Sequence, residues 1–114
     1  MRQGDLVTPE SMRAAYDFLK KVSFPGVRLP RSSSVTFRSA RLKKYHGLYE
    51  YPENVVTINS TTGSVTQLLQ IMAHEMIHVA FEQNAASDHA EHDEHFEALA
   101  RIIEFEMGWP KGSV

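Results

Sequence analysis

The stretch from Ser64 to Phe81 constrains the fold more than any other part of the chain. Ser64 and Gln67 form a Ser-x-x-Gln pattern, which is typical of a helix N-terminus because each side chain can bond a free backbone N–H. A helix with apolar residues on most of its circumference is a buried one. The segment therefore predicts a central helix, because apolar residues cover most of its circumference: Leu68, Leu69, Ile71, Met72, Ala73, Met76, Ile77, Val79, Ala80 and Phe81.

The polar residues of this helix fall on one side: Gln67, Gln70, His74, Glu75 and His78. Buried imidazoles cost free energy unless they bond to something. His74, Glu75 and His78 form a His-Glu-x-x-His motif. Because each residue turns a helix by about 100°, the two histidines lie about 40° apart, one turn along, and both can reach one tetrahedral zinc ion. Glu75 lies beside them, where a carboxylate can take a proton from a metal-activated water and pass it to a leaving amine.

The composition sets the class of protein. A chain of 114 residues is long enough for one modest core, so we expect residues 1–114 to form a single domain. Apolar residues make up 42% and charged residues 23%, as in globular proteins. No run approaches the roughly 18 apolar residues of a membrane span, and no signal peptide is recognisable, so we expect a cytoplasmic protein without membrane contact. The sequence has no cysteine, so any metal must bind to His, Asp or Glu.

The residues before the central helix predict one helix and a small sheet. Thr8 followed by Pro9 is typical of an N-cap and a first helical position, and residues 23–26 (Ser-Phe-Pro-Gly) should end this helix near residue 23. Three segments predict strands. Residues 34–39 alternate between apolar and polar side chains, and residues 45–51 and 54–59 are rich in aromatic and β-branched residues. We expect an antiparallel meander of these strands, and hence an α+β fold with one helix before the meander and two after it.

A third helix is predicted to begin near Asp93, which can cap it, and to end at Gly108, which precedes Trp109 and Pro110. The polar segment 82–92 should be a loop that returns the chain antiparallel to the central helix. One apolar stripe marks the core-facing side of the third helix: Phe96, Leu99, Ala100, Ile103 and Met107.

Two histidines do not complete a catalytic zinc site, which normally has three protein ligands and a water molecule. A pattern of other zinc enzymes would put the third ligand six residues after His78, but Asn84 stands there. A glutamate of the next helix is an alternative, with Glu94 and Glu97 as candidates. The segment after the central helix also has three histidines: His89, His92 and His95.

Helical spacing distinguishes these three histidines. If Phe96 marks the centre of the apolar stripe, His92 falls about 40° away, on the core-facing side, whereas His95 falls about 100° away, on the flank. His89 is too far upstream for the helix to hold. The spacing therefore favours His92 as the third ligand, with His95 next.

At this point the chain resembles the SprT-like zinc metalloproteases. "HDEHF", which begins at His92, is similar to the His-Gly-x-x-Phe motif of that family, although Asp93 stands in place of the usual glycine. "RLKKYHGLYEYPENVVTINS" is similar to the stretch that leads to the family's His-Glu-x-x-His helix. The resemblance covers roughly residues 10–110. Small stand-alone versions of this kind are similar to proteins encoded by bacteria and phages.

The resemblance implies a minimal zincin-like domain and a zinc-dependent endopeptidase. Its zinc ligands would be His74, His78 and His92, and Glu75 would be the general base. The partner would be a protein or peptide substrate, which could add to an edge strand of the sheet beside the cleft. We also consider a zinc-binding accessory module without proteolytic activity, a zinc hydrolase with another substrate, and a nucleic-acid-binding module. The presence of Glu75 favours the enzyme.

The charge distribution suggests a second partner. Residues 1–50 carry ten Lys and Arg against four Asp and Glu, whereas residues 51–114 carry two against ten. Such asymmetry can indicate an anionic partner, and the eukaryotic members of the family that this chain resembles act on proteins crosslinked to DNA. DNA contact through the segment Lys20–Lys44 is therefore one hypothesis, and the other is a basic half that faces solvent or complements the acidic half of the same domain.

Overall fold

A computed structural model describes residues 5–24, 26–84 and 94–114 of the protein. Its elements confirm the predicted α+β class. A single turn of 3-10 helix, Ser32–Ser34, precedes the first strand. The helices and strands are α1 (Pro9–Val22), β1 (Thr36–Ala40), β2 (Gly47–Glu50), β3 (Val55–Asn59), α2 (Val65–Asn84) and α3 (Glu94–Met107).

Helix α1 begins where its cap was predicted. The Thr8 hydroxyl accepts a hydrogen bond from the Ser11 N–H at 3.0 Å, and the Ser11 hydroxyl accepts one from the Thr8 N–H at 2.9 Å. Pro9 occupies the first turn, where its missing N–H costs nothing. The helix ends at Val22, so the predicted end near residue 23 is confirmed.

The predicted antiparallel meander is wrong. The spatial order of the strands is β1-β3-β2, with β1 parallel to β3 and β2 antiparallel to it. Strand β3 is thus central, and Val55–Ile58 are all buried. A central strand covered on both faces has a continuous run of β-branched residues, as β3 does, whereas a half-buried strand alternates. The prediction took the order along the chain as the order in the sheet.

Asn59, at the end of β3, holds the connection that makes this order possible. Its Nδ2 donates to the main-chain oxygens of Leu42 at 2.9 Å and Tyr45 at 3.1 Å, and its N–H donates to the His46 oxygen at 2.8 Å. These bonds fix residues 41–46 as they carry the chain past the end of β3. The chain can then enter β2 at the opposite edge of the sheet from β1.

Helix α2 is the central element, as predicted. The Ser64 hydroxyl accepts from the Gln67 N–H at 3.1 Å, while Gln67 Oε1 accepts from the Gly63 N–H at 3.2 Å rather than from the cap residue. The helix packs against α1, α3, β2 and β3. It continues to Asn84, three residues into the segment predicted as a loop. One apolar cluster joins its buried side chains to those of α1, α3 and the sheet.

Helix α3 packs against α2 and ends at the predicted glycine. Gly108 has a φ of +71°, a left-handed conformation that favours glycine. Its N–H donates to the Phe105 oxygen at 3.2 Å, and the Trp109 N–H donates to the Glu104 oxygen at 2.8 Å. These two bonds form a Schellman motif, which turns residues 109–114 back over the helix. The predicted start near Asp93 lies outside the described residues.

Among the described helices, none combines the length and the apolar character needed to cross a lipid bilayer.

Candidate metal centre

The histidines of the His-Glu-x-x-His motif lie side by side on α2. The ring centroids of His74 and His78 are 5.4 Å apart, at an interplanar angle of 66°. Both side chains are half-buried, in a helix whose neighbouring residues are almost all buried. The one-turn spacing in the sequence therefore brings two imidazoles to the same face, which is the arrangement that a shared metal ion needs.

Phe96 of α3 supports both rings. Its ring centroid is 4.9 Å from that of His74 and 5.1 Å from that of His78, and the side chain is only 1% exposed. The start of α3 therefore packs directly against the two histidines. His92, the predicted third ligand, lies four residues before Phe96 in the chain and outside the described residues, so its assignment stays a prediction.

The alternative ligands of α3 are exposed. His95 and Glu94 are both solvent-accessible, and the Glu97 carboxylate pairs with the Arg101 guanidinium at 2.9 Å. Within residues 5–24, 26–84 and 94–114, no group of three His, Asp or Glu side chains gathers as a metal site would require. The described part of the chain thus supplies two neighbouring histidines, and a third ligand stays a prediction.

Glu75 is buried, and no donor among the described residues bonds to it. It lies on α2, between His74 and His78 in the sequence, and is 5% exposed. None of the residues that the structure describes donates a hydrogen bond to the carboxylate, and burial raises its pKa to about 8. Buried polar groups almost always have partners, and an exception suggests a water or an ion. A cation beside Glu75 would favour its charged form, so this donor set fits a metal centre.

Gly47 makes room for that carboxylate. A Cβ atom at this position would lie 3.0 Å from Glu75 Oε2 and 2.8 Å from Ile71 Cγ2. The start of β2 therefore approaches α2 more closely than any other residue type allows. Sequence reasoning missed this role, although a glycine inside a strand pattern often indicates close contact with another backbone or a side chain.

The site opens into a cavity of about 430 Å³. Four of the five polar residues predicted to share one side of α2 line it, and His78 lies against His74 just beyond them. The connection before β2 forms a wall, and residues 113–114 form part of the rim. The lining residues are Lys44, Tyr45, His46, Gly47, Gln67, Gln70, Ile71, His74, Glu75, Ser113 and Val114.

The rim residue Val114 bonds directly to one of the histidines. Its main-chain oxygen lies 3.2 Å from His74 Nδ1. Because this oxygen can only accept a hydrogen bond, Nδ1 must carry the proton in this contact. That tautomer leaves the lone pair of Nε2 for a metal, and such outer bonds commonly orient metal-binding histidines. Sequence reasoning gave residues 109–114 no part in the site.

Comparison with protein families identifies the family of this chain. A search of curated proteins returned no significant match. The model of the SprT-like family matches residues 12–112, a range that includes the whole sheet, α2, α3 and most of the cavity lining. Since the match covers nearly all of the 114 residues, the chain belongs to the SprT-like family.

Proposed function

We propose that this protein is a zinc-dependent endopeptidase in which His74, His78 and His92 bind the ion and Glu75 is the general base. The observation that carries the proposal is the state of Glu75. It is buried, has no hydrogen-bond donor among the described residues and has a pKa raised to about 8. A carboxylate in this setting needs a nearby cation to be charged at neutral pH. Membership of a family that is metallopeptidase-type supports the same conclusion.

The residues of the site divide the chemistry between them. Zinc held by these histidines would supply Lewis-acid chemistry: it would lower the pKa of a bound water molecule to about 7 and polarise the carbonyl group of the scissile bond. Glu75 accepts a proton from the attacking water and then donates it to the leaving nitrogen of the cleaved peptide. His74 would hold the ion through Nε2, with its Nδ1–H bonded to the main-chain oxygen of Val114. Phe96 restrains both imidazole rings from the side of α3.

Strand β2 supports a peptide as the substrate. It pairs with β3 on one side and has no second strand partner among the described residues. Its first residue, Gly47, lines the cavity beside Glu75. An extended peptide that added to the free edge of β2 would form main-chain hydrogen bonds and pass close to the base. This mode of binding recognises backbone, so it suits a protease that acts on unfolded or extended segments.

The basic segment Lys20–Lys44 supports nucleic acid as a further partner. Lys44 lines the cavity, and its neighbours Lys43 and Arg41 are exposed. A phosphate backbone held along this segment would bring a DNA-bound protein to the cavity mouth. The nucleic acid would serve here to deliver the substrate, and cleavage would still depend on Glu75.

Digestion of an unfolded protein such as casein tests the enzymatic proposal. The purified protein should bind zinc in a ratio near one per chain, cleave casein, lose this activity with a chelator and regain it when zinc is added back. A folded protein without zinc at neutral pH would contradict the whole proposal. Zinc binding without cleavage of any protein would favour the non-proteolytic accessory module instead.

Separate replacement of three histidines tests the third ligand. His92→Ala should weaken zinc binding far more than His89→Ala or His95→Ala, because a lost ligand removes binding energy that a surface imidazole does not supply. Isothermal titration of the metal-free variants with zinc measures this directly. If His95→Ala has the largest effect, the helical phase assumed for the residues before Phe96 is wrong.

A further inference from the structure

Glu104 of α3 is a second buried carboxylate, 2% exposed, and it is not among the residues that line the cavity. The Arg101 guanidinium donates to it twice, from Nε to Oε1 at 2.7 Å and from Nη2 to Oε2 at 3.1 Å. Oε2 also accepts hydrogen bonds from the main-chain N–H groups of Gly112 at 3.0 Å and Val114 at 2.9 Å. This carboxylate therefore has partners from its own helix and from residues 112–114.

These hydrogen bonds keep Glu104 charged. Burial by itself would raise the pKa of its carboxyl group, but the bonds from Val114, Arg101 and Gly112 outweigh burial and hold the pKa below its ordinary value. Charge-assisted hydrogen bonds are stronger than neutral ones. The carboxylate is therefore a firm anchor for the main chain at residues 112–114.

The anchor holds Val114 where its main-chain oxygen meets His74. The N–H groups of Gly112 and Val114 converge on one oxygen atom, and Gly112 has a φ of +92° that turns the chain between them. With its N–H fixed to Glu104, Val114 presents its main-chain oxygen to His74 Nδ1 at 3.2 Å. One residue thus connects the carboxylate of α3 to an imidazole of α2.

We propose that Glu104 is a positioning residue of the metal centre, which acts on His74 through residues 112–114. By holding the Val114 oxygen in place, it fixes the orientation of the His74 ring and the tautomer that leaves Nε2 for the metal. This inference rests on the proposed function of His74 as a zinc ligand. Outer hydrogen-bond partners of metal-binding histidines typically contribute about 10- to 100-fold to metal affinity. Sequence reasoning gave Glu104 no role.

Glu97 provides a matched control. It lies on the same helix and its carboxylate also bonds to Arg101, at 2.9 Å, but it is exposed and accepts no hydrogen bond from residues 112–114 in the described part of the chain. A general loss of charge or of helix stability in α3 would affect both glutamates alike. An effect that passes through Val114 requires Glu104 and does not require Glu97.

The test compares four full-length variants: Glu104→Ala, Gly112→Pro, the two combined, and Glu97→Ala. Gly112→Pro leaves α3 unchanged but removes one N–H donor and prevents the positive φ. Zinc affinity is measured by competition with a chromophoric chelator on protein whose fold is checked by circular dichroism. Glu104→Ala and Gly112→Pro should each weaken zinc binding by about 10-fold or more. The combination should be no worse than either, because both act along one path, and Glu97→Ala should stay close to the unmodified protein.

A second readout does not depend on the metal. In metal-free protein, ¹⁵N NMR of the His74 ring should find the proton on Nδ1, and both single variants should move it towards Nε2. If Glu104→Ala does not fold, Gly112→Pro carries both measurements. The inference is overturned if zinc affinity and the tautomer are unchanged in Gly112→Pro, or if the two effects add. If the unmodified protein binds no zinc, the proposed function fails as well, whereas equal binding by the unmodified protein and the variants overturns only the role of Glu104.

Discussion

The two buried carboxylates of this protein, Glu75 on α2 and Glu104 on α3, have opposite electrostatic settings. Both are almost inaccessible to solvent. Glu75 has no hydrogen-bond donor among the described residues and its pKa is raised, whereas Glu104 has four short hydrogen bonds and its pKa is lowered. Burial alone therefore does not decide the charge of a carboxyl group, because its partners do. The carboxylate with no donor among the described residues suits the proposed general base, and the saturated one holds the structure.

The largest expected effect comes from Glu75→Gln. This change keeps the shape of the side chain but removes the group that accepts the proton, so kcat should fall by about 100- to 10,000-fold. Zinc content should not change, because Glu75 is not a ligand in the proposed site. Metal analysis and casein digestion on the same preparation measure both properties. If the variant loses its zinc, Glu75 binds the metal and its contrast with Glu104 has another cause.

Glu104→Gln should lower the stability of the fold. Hydrogen bonds to a charged group contribute about 1.5–3 kcal/mol each, so the free energy of unfolding should fall by a similar amount at neutral pH. Since the folded pKa is lowered, the stabilisation by Glu104 is fully present above its unfolded pKa and is lost as the pH falls through the folded pKa. Urea unfolding of the metal-free protein between neutral and acidic pH should bring the variant and the unmodified protein together at low pH. A constant difference across this range would show that the charge of Glu104 does not matter.

Gly47→Ala tests how tightly the cavity is built around Glu75. The new methyl group would meet Ile71 Cγ2 and Glu75 Oε2, and such overpacking costs about 1–3 kcal/mol. We expect a lower melting temperature and a lower kcat, because the carboxylate must move. Gly63→Ala is the matched control, since a Cβ atom there would meet nothing within 4 Å. Equal kcat values for the two variants would show that the added methyl group does not displace the Glu75 carboxylate.

The smallest effect is expected from the double charge reversal Lys43→Glu and Lys44→Glu. If the basic segment holds DNA, binding measured by fluorescence anisotropy at low salt should weaken, and its dependence on salt should become less steep. Casein digestion should hardly change, because casein carries no nucleic acid to hold. If the double variant binds DNA as tightly as the unmodified protein, the segment Lys20–Lys44 is not the interface. The proposal would then keep only the protein substrate.

Much of α2 could be predicted because its information is local. The cap at Ser64, the apolar run and the spacing of His74 and His78 all lie within one helix, where periodicity determines which residues share a face. The helix ends at Thr8 and Gly108 were predictable for the same reason. His92 was inferred from the phase of α3, and it lies outside the described residues.

The parts that could not be predicted depend on contacts between distant segments. Strand order depends on Asn59, whose bonds to residues 42–46 direct β2 to the far side of β3. In the sequence, Glu104 looks like half of an exposed helical pair with Arg101, because its burial arises only when residues 109–114 fold back. Spacing along one helix contains no information about either contact.

The bonds of the Asn59 amide also make the connection before β2 sensitive to deamidation. Slow hydrolysis of this side chain to a carboxylate would replace its donating nitrogen by an oxygen that can only accept. That oxygen would face the main-chain oxygens of Leu42 and Tyr45, which now receive hydrogen bonds from Nδ2. The wall of the cavity would then loosen without damage to any residue that lines it. A deamidated sample would thus lose order in this wall while its histidines and Glu75 remain chemically intact.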